Sequence, residues 1–147
     1  MAEKIILTTD TMVDIPIEWV QEFNIKRIPT IIYFGGEQMD AREINAHDVL
    51  EYYKEHKELP ETGPTTIEMF NSFFVSLIHQ GYKIIHLSTM PSISQNYANS
   101  LEVQECYSAQ ITVIDTKFSS IGTAPLIWEL GNYVKNENPT YQQITFI

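Results

Sequence analysis

The sequence is poor in cysteine and has no recognisable metal-binding pattern. Cys106 is the only cysteine among 147 residues, which excludes an internal disulfide and a thiolate metal cluster. Cys106 falls on the apolar side of a helical pattern, which predicts a buried structural thiol. The histidines lack metal-ligand spacing, and we interpret each as a surface residue of a helix or strand: His47, His56, His79 and His86.

Basic residues are also scarce. Nine Lys and Arg residues face 19 Asp and Glu residues, which gives a net charge of −10. Such a charge opposes partners that bind through phosphate neutralisation, so nucleic acid and anionic membrane surfaces are poor candidates. No apolar run approaches the ~20 residues that span a bilayer, and no apolar leader precedes the first strand pattern. We therefore expect a cytoplasmic protein without membrane insertion.

What is present is the composition of a folded protein, with 44% hydrophobic and 12% aromatic residues. We expect one α/β domain over residues 1–147. Short apolar runs alternate with helical patterns, which predicts a three-layer sandwich with a mainly parallel sheet and helices on both faces. The predicted strands are 4–9, 26–34, 83–88 and 111–115, and the predicted helices follow Pro16, Asn45 and Thr65 and span 95–107 and 121–134.

The last residues are apolar and have little sequence left to cover them. A helix is predicted to open at Thr140, and Ile144, Phe146 and Ile147 follow. This segment either docks back onto the domain, marks a lost continuation, or remains exposed and pairs with another chain. A homo-oligomer formed through this apolar end is therefore one expectation.

The loops that follow the predicted strands are rich in hydroxyl groups. In parallel α/β sheets, ligands bind outside the carboxyl ends of the strands, where these loops converge. Loops 9–11, 88–94 and 115–120 lie there, and loop 62–66 is able to reach the same rim. Hydroxyls without a paired base can hold a carboxylate but cannot activate a nucleophile. These loops predict binding rather than catalysis.

Ser92 lies where strand 83–88 gives way to a helical pattern. The first N–H groups of a helix lack internal partners and carry partial positive charge, so a carboxylate or phosphate can bind there. Ser92 and Gln95 also have the form of a capping box. From these residues alone, an anion site and a simple helix cap both remain open.

Asp10 and Asp115 each end a predicted strand. Two carboxylates at one rim could hold Mg²⁺ in a small phosphatase or phosphotransferase. We favour the alternative, in which each aspartate accepts hydrogen bonds from the turn that follows it. The phosphatase motif Asp-x-Asp-x-Thr is not matched, because Met12 occupies the second aspartate position. No Gly-x-Gly-x-x-Gly or Walker loop is present, so no nucleotide cofactor is predicted.

Four stretches carry motif-like sequences: residues 8–16, 59–62, 88–92 and 113–116. Taken together, these stretches resemble the DegV family. The family typically has Thr-Asp-Ser-Thr-Ala-Asp-Leu-Pro, Leu-Pro-Lys-Thr-Ser-Gln-Pro-Ser, Ser-Ser-x-Leu-Ser-Gly-Thr and Val-Ile-Asp-Ser. The matching stretches have the same order and spacing and cover only the family's first domain, so we expect the second, lid domain to be absent. Ile93 stands where the family has glycine.

The resemblance implies a bacterial, non-enzymatic protein that binds a long-chain fatty acid, as a carrier that supplies a fatty-acid kinase for lipid synthesis. It implies that Thr62, Ser92 and the backbone N–H of Ile93 hold the carboxylate, and that the acyl tail lies in an apolar tunnel. A ligand-free association module is a further hypothesis. We interpret the large apolar residues that could line a tunnel as core: Ile6, Ile31, Tyr33, Phe70, Phe73, Phe74 and Tyr97.

Overall fold

The computed structural model describes residues 3–145. The strands are β1 Lys4–Asp10, β2 Lys26–Ile28, β3 Ile31–Phe34, β4 Glu37–Asp40, β5 Glu61–Gly63, β6 Tyr82–Ser88 and β7 Ile111–Asp115. The α-helices are α1 Ile17–Glu22, α2 Ala46–His56, α3 Ile67–His79, α4 Asn96–Cys106, α5 Ala124–Glu137 and α6 Tyr141–Thr145. A 3₁₀ turn, Ser120–Thr123, precedes α5. Within the described range, no helix has both the length and the apolar character needed to cross a bilayer.

Four parallel strands form the main sheet in the order β2-β1-β6-β7. The alternation of short apolar runs with helical patterns predicts a mainly parallel sheet. The α/β prediction is confirmed. β2 pairs with one edge of β1, and β6, which comes later in the chain, pairs with the other edge. The loops after β1 and β6 therefore meet where the strand order reverses, which is the usual ligand position in such sheets.

Helices cover both faces of this sheet. Successive strand residues point to opposite faces, so Ile6 and Leu7 enter different apolar layers. One layer combines strand residues with Phe70 and Phe74 of α3 and with Val103 of α4. The other packs against α5 and α6, with α1 at its border; its buried members are Leu7, Val13, Ile25, Ile85, Leu87, Ile127, Tyr141 and Ile144.

The single strand predicted over residues 26–34 is wrong, because the chain breaks at Pro29 and Thr30. β2 belongs to the parallel sheet, whereas β3 lies in a separate antiparallel sheet of order β4-β3-β5. Pro29 has no N–H to donate to a ladder. Its carbonyl instead accepts from Thr65 Oγ1 at 2.8 Å, and the Thr30 N–H donates to Thr11 Oγ1 at 2.8 Å. The strands β4 and β5 were not predicted.

Helix starts were predicted with mixed success. Asn45 caps α2 as a capping box with Asp48, as its spacing predicts. Thr66, not Thr65, caps α3, because Thr65 is buried in tertiary contacts. The helix-cap alternative for Ser92 and Gln95 is wrong, since α4 begins only at Asn96 and Gln95 makes no side-chain cap.

The C-terminal helix α6 docks back onto the sheet. Tyr141 and Ile144 are buried, and the Tyr141 hydroxyl lies 2.6 Å from Thr112 Oγ1. The Tyr141 N–H donates to the Glu3 carboxylate at 2.6 Å. Ile144 is therefore not part of an exposed apolar end, and Phe146 and Ile147 lie outside the described residues.

Two predictions about single side chains are wrong. Cys106 is exposed, because it is the last residue of α4 and faces away from the apolar layer. His86 is fully buried, because it points from the central strand β6 toward α3, where its ring meets those of Phe70 and Phe74 edge-on. Burial of a strand residue is decided here by its position in the middle of the sheet rather than by its polarity.

Candidate functional site

The carboxyl ends of β1 and β6 form a buried polar layer. Asp10 ends β1, and its carboxylate accepts from the Met12 N–H at 3.0 Å, from Thr89 Oγ1 at 2.9 Å and from the Thr89 N–H at 3.2 Å. Thr9 Oγ1 donates to the Leu87 carbonyl at 2.8 Å. These bonds tie the loop after β1 to the loop after β6 at the point where the strand order reverses.

The two strand-end aspartates hold their own turns, as the favoured interpretation predicts. Asp115 accepts from the Lys117 N–H at 2.9 Å, as Asp10 does from Met12. The Lys117 ammonium donates to the same carboxylate and holds the pKa of Asp115 below its ordinary value. Within residues 3–145, no three or more His, Cys, Asp or Glu side chains cluster as a metal site. Nothing in this geometry favours the phosphatase alternative.

Thr65 joins the loop that carries Thr62 to the first turn of α4. Its N–H donates to Asn96 Oδ1 at 2.9 Å, and its carbonyl accepts from Asn99 Nδ2 at 2.8 Å. Its hydroxyl donates to the Pro29 carbonyl at 2.8 Å. Loop 62–66 therefore docks against the helix that follows the Ser92 loop, which agrees with the expectation that it reaches the rim.

Thr62 lies on β5 and is exposed. It pairs with Ile32 of β3, and the next residue, Gly63, lies under the ring of Tyr33. A Cβ at Gly63 would come within 2.9 Å of Tyr33 Cε2, so a side chain here would require the Tyr33 ring or the strand to shift. The exposed Thr62 hydroxyl is left able to donate to a ligand.

Ser92 and Ile93 lie in a turn that ends before α4 and are both exposed. The Ile93 N–H donates to the Met90 carbonyl at 3.3 Å, so a bound carboxylate would share or replace this bond. Ile93 does not adopt a positive φ, so a β-branched residue fits here without strain. The Met90 N–H donates to the Phe118 carbonyl at 3.0 Å, which fixes the turn against the loop after β7.

The apolar layer below these loops is filled by aromatic rings. Phe70 and Phe74 are fully buried with ring centroids 5.5 Å apart, and Phe73 and Tyr97 pack against the same cluster. A surface cleft of about 360 Å³ opens beside α3, between Pro29, Met69 and Phe73. Thr62, Ser92 and Ile93 do not line this cleft. The interpretation of the aromatic residues as core agrees with this packing.

His86 is the buried titratable group that sequence reasoning missed. Its Nδ1 lies 2.9 Å from Thr8 Oγ1, whereas its Nε2 has no partner among the described residues. Burial lowers the pKa of His86 to about 4, and the negative charge of Asp10 opposes this shift only in part. The period-two pattern was the available signal, because Ile84 lies two residues before His86 and shares its face of the strand.

Comparison with known proteins places nearly the whole chain in one family. The family model described as "Uncharacterised protein, DegV family" matches residues 4–146. A DegV domain-containing protein of Clostridium perfringens is 26% identical over 136 residues, which cover 91% of this chain and 49% of that protein. The chain therefore spans about half the length of this relative.

Solved structures share the fold. A structure of DegV from Bacillus subtilis, described as a fatty acid binding protein, superposes with a TM-score of 0.85 at 22% identity and covers 97% of this chain and 51% of that one. A stearic acid-binding protein from Eubacterium ventriosum gives a TM-score of 0.79 at 21% identity, covering 93% of this chain and 49% of that one. With the family model matching nearly all of its length, the chain belongs to the DegV family.

Proposed function

We propose that this chain binds a long-chain fatty acid without catalysis, and that Thr62, Ser92 and the Ile93 N–H hold the carboxylate. The observation that carries the proposal is the Thr65 contact with Asn96 and Asn99, which joins the loop that presents Thr62 to the helix that follows the Ser92 loop. Family membership and the fatty-acid-binding relatives of the same fold support it.

The chemistry of the rim suits an acid that is held but not transformed. Exposed hydroxyls donate to a carboxylate, and Asp10 and Asp115 are both engaged in their own turns. The only histidine at this end of the sheet, among the described residues, is His86, which is buried and neutral at physiological pH. No group placed here would activate a nucleophile, so binding is the activity that these residues support.

The acyl tail, in this proposal, enters the layer between the sheet and helices α3 and α4. Loop 62–66 leads directly into α3, and the Ser92 loop leads into α4, so a carboxylate between them points its tail toward Phe70 and Phe74. The rings must move aside to admit it. Each buried methylene contributes about 0.8 kcal/mol, so the tail sets affinity while the hydroxyls set orientation.

A carrier role and a fatty-acid kinase partner are part of the same proposal. Ser92 and Ile93 are exposed, with 52% of Ile93 accessible, so a head group held there would be within reach of an enzyme that modifies it. The net charge of −10 does not prevent this, because distant surface carboxylates are screened over about 8–10 Å.

Native mass spectrometry of the purified full chain, with analysis of extracted lipid, tests the proposal. We expect one fatty acid per chain, and we expect the Thr62→Ala, Ser92→Ala double variant to lose most of it. The matched control removes two exposed hydroxyls elsewhere, Ser76→Ala with Ser108→Ala, and should retain the lipid. Wild-type protein that binds no added fatty acid, or a double variant that binds as well as the control, would contradict the proposal.

A further inference from the structure

Two buried polar atoms beside Thr65 have no hydrogen-bond partner within residues 3–145. They are Asn96 Nδ2 and Thr30 Oγ1, on residues that are 0% and 5% exposed. A buried polar atom without a partner costs about 1–3 kcal/mol. Both residues lie next to Thr65 contacts: Asn96 accepts from the Thr65 N–H, and Thr30 follows Pro29, whose carbonyl accepts from the Thr65 hydroxyl.

The orientation of the Asn96 amide is fixed by its neighbours. The Thr65 N–H needs an acceptor, and only Oδ1 of the amide can accept it, at 2.9 Å. A flipped amide would set two donors against each other, so Nδ2 must face away from this N–H. The Asn96 N–H is engaged separately, because Ser94 Oγ accepts it at 3.1 Å. Nδ2 is therefore a hydrogen-bond donor whose direction is fixed by the contact between Asn96 Oδ1 and the Thr65 N–H.

Thr30 lies in the link between β2 and β3, next to a second Thr65 contact. The carbonyl of the preceding Pro29 accepts from Thr65 Oγ1, and the Thr30 N–H donates to Thr11 Oγ1. Its backbone is thus fixed by two loops of the rim while its hydroxyl has no partner among the described residues. Thr30 and Asn96 belong to separate elements, which makes them independent observations.

We propose that Asn96 Nδ2 and Thr30 Oγ1 form the inner half of the head-group site and donate to one oxygen of the fatty-acid carboxylate. The inference rests on the proposed function and deepens it. A carboxylate accepts about four hydrogen bonds, so the other oxygen remains available to Thr62 and Ser92, while the Ile93 N–H shares its bond between that oxygen and the Met90 carbonyl. Neutral donors held in a buried place stabilise the ionised acid, and the site therefore selects a carboxylate over an alcohol of equal chain length.

The variant Asn96→Asp separates this role from a structural one. Aspartate keeps an oxygen that accepts from the Thr65 N–H but replaces the donor with a second acceptor that repels a carboxylate. At neutral pH, we expect the affinity for hexadecanoic acid to fall about tenfold or more, while the affinity for hexadecanol stays within about twofold. The control Asn99→Ala removes the other Thr65 contact and should leave the ratio of acid to alcohol affinity unchanged.

Thr30→Val gives a second measurement if Asn96→Asp does not fold. Valine keeps the shape of threonine and removes the hydroxyl. The affinity for hexadecanoic acid should therefore again fall about tenfold, while the affinity for hexadecanol should not. Folded variants with the wild-type ratio of acid to alcohol affinity would overturn the inference, as would an equal loss of both lipids. Wild-type protein that binds neither lipid would instead overturn the proposed function itself.

Discussion

At the scale of single residues, burial has opposite consequences for Asp10 and His86. Asp10 is fully buried yet accepts three hydrogen bonds at the end of β1. His86 is equally buried but has one hydrogen-bond partner, Thr8, and packs edge-on against two phenyl rings. The aspartate contributes to holding two loops together, whereas the histidine is forced to stay neutral.

His86 should make the protein acid-sensitive in a defined window. Its folded pKa of about 4 lies below the ordinary 6.5, so below pH 6.5 the unfolded chain takes up a proton that the folded chain does not. The free energy of unfolding should fall as the pH drops from 6.5 to 4, by about 3 kcal/mol at most from this residue. Urea denaturation at several pH values measures the loss.

The variant His86→Asn removes this titratable group. The free energy of unfolding should then depend less on pH between pH 6.5 and 4, although the variant should be less stable at neutral pH. His79→Asn is the matched control, because His79 is exposed on α3. A His86→Asn variant whose stability falls as steeply with acid as that of the control would show that His86 does not carry the effect.

Asp10→Asn should lower the free energy of unfolding more than Asp115→Asn does. The amide at position 10 turns one acceptor into a donor that faces Thr89, which leaves buried groups unpaired at about 1–3 kcal/mol. At position 115 the ammonium partner, Lys117, is exposed and regains water, so the expected loss is under about 1 kcal/mol. Thermal or urea denaturation compares the two, and equal losses would contradict the role assigned to Asp10.

At the scale of elements, β5 depends on the absence of a side chain at Gly63. A Cβ there would lie 2.9 Å from the Tyr33 ring, so Gly63→Ala should push β5 away from β3 and displace Thr62. We expect a loss of about 1–3 kcal/mol of stability and weaker fatty-acid binding. Tyr33→Leu removes the ring, so the double variant should lose less than the sum of the two single variants. Additive losses would show that the contact is not the cause.

The parallel strands could be predicted from sequence because each is a continuous apolar run between helical patterns. β7 was predicted with its observed bounds, 111–115. The break at Pro29 was not predictable in the same way, because residues on both sides of it are apolar and β-branched. Tertiary contacts separate β2 from β3, since Pro29 and Thr30 form hydrogen bonds with loops that are distant in sequence. β5 has only three residues and no apolar pattern.

The candidate site was predictable from sequence only in part. Ser92 was indicated by its position between a strand and a helical pattern as well as by the family resemblance, whereas Thr62 and the Ile93 N–H rest on the resemblance, and all three roles remain proposals. Asn96 carries no local signal, because its function depends on Thr65, which lies 31 residues earlier in the chain. His86 was misassigned because a polar residue in a central strand was interpreted as a surface residue.

At the scale of the whole molecule, the sheet separates two apolar layers that should respond differently to the same change. Phe74 and Ile127 are both fully buried, one in the layer against α3 and the other in the layer against α5. Phe74→Ala and Ile127→Ala should each cost about 2–5 kcal/mol. Only Phe74→Ala should shift bound lipid toward longer or bulkier chains, as read by mass spectrometry of extracts. An equal shift in Ile127→Ala would place the tail elsewhere.

The most direct test of the account is a crystal structure of the full chain with stearic acid. We expect the carboxylate within about 3.2 Å of Thr62 Oγ1 and Ser92 Oγ, with the tail between the sheet and helices α3 and α4. A carboxylate bound away from both hydroxyls, or a tail in the layer against α5, would contradict it.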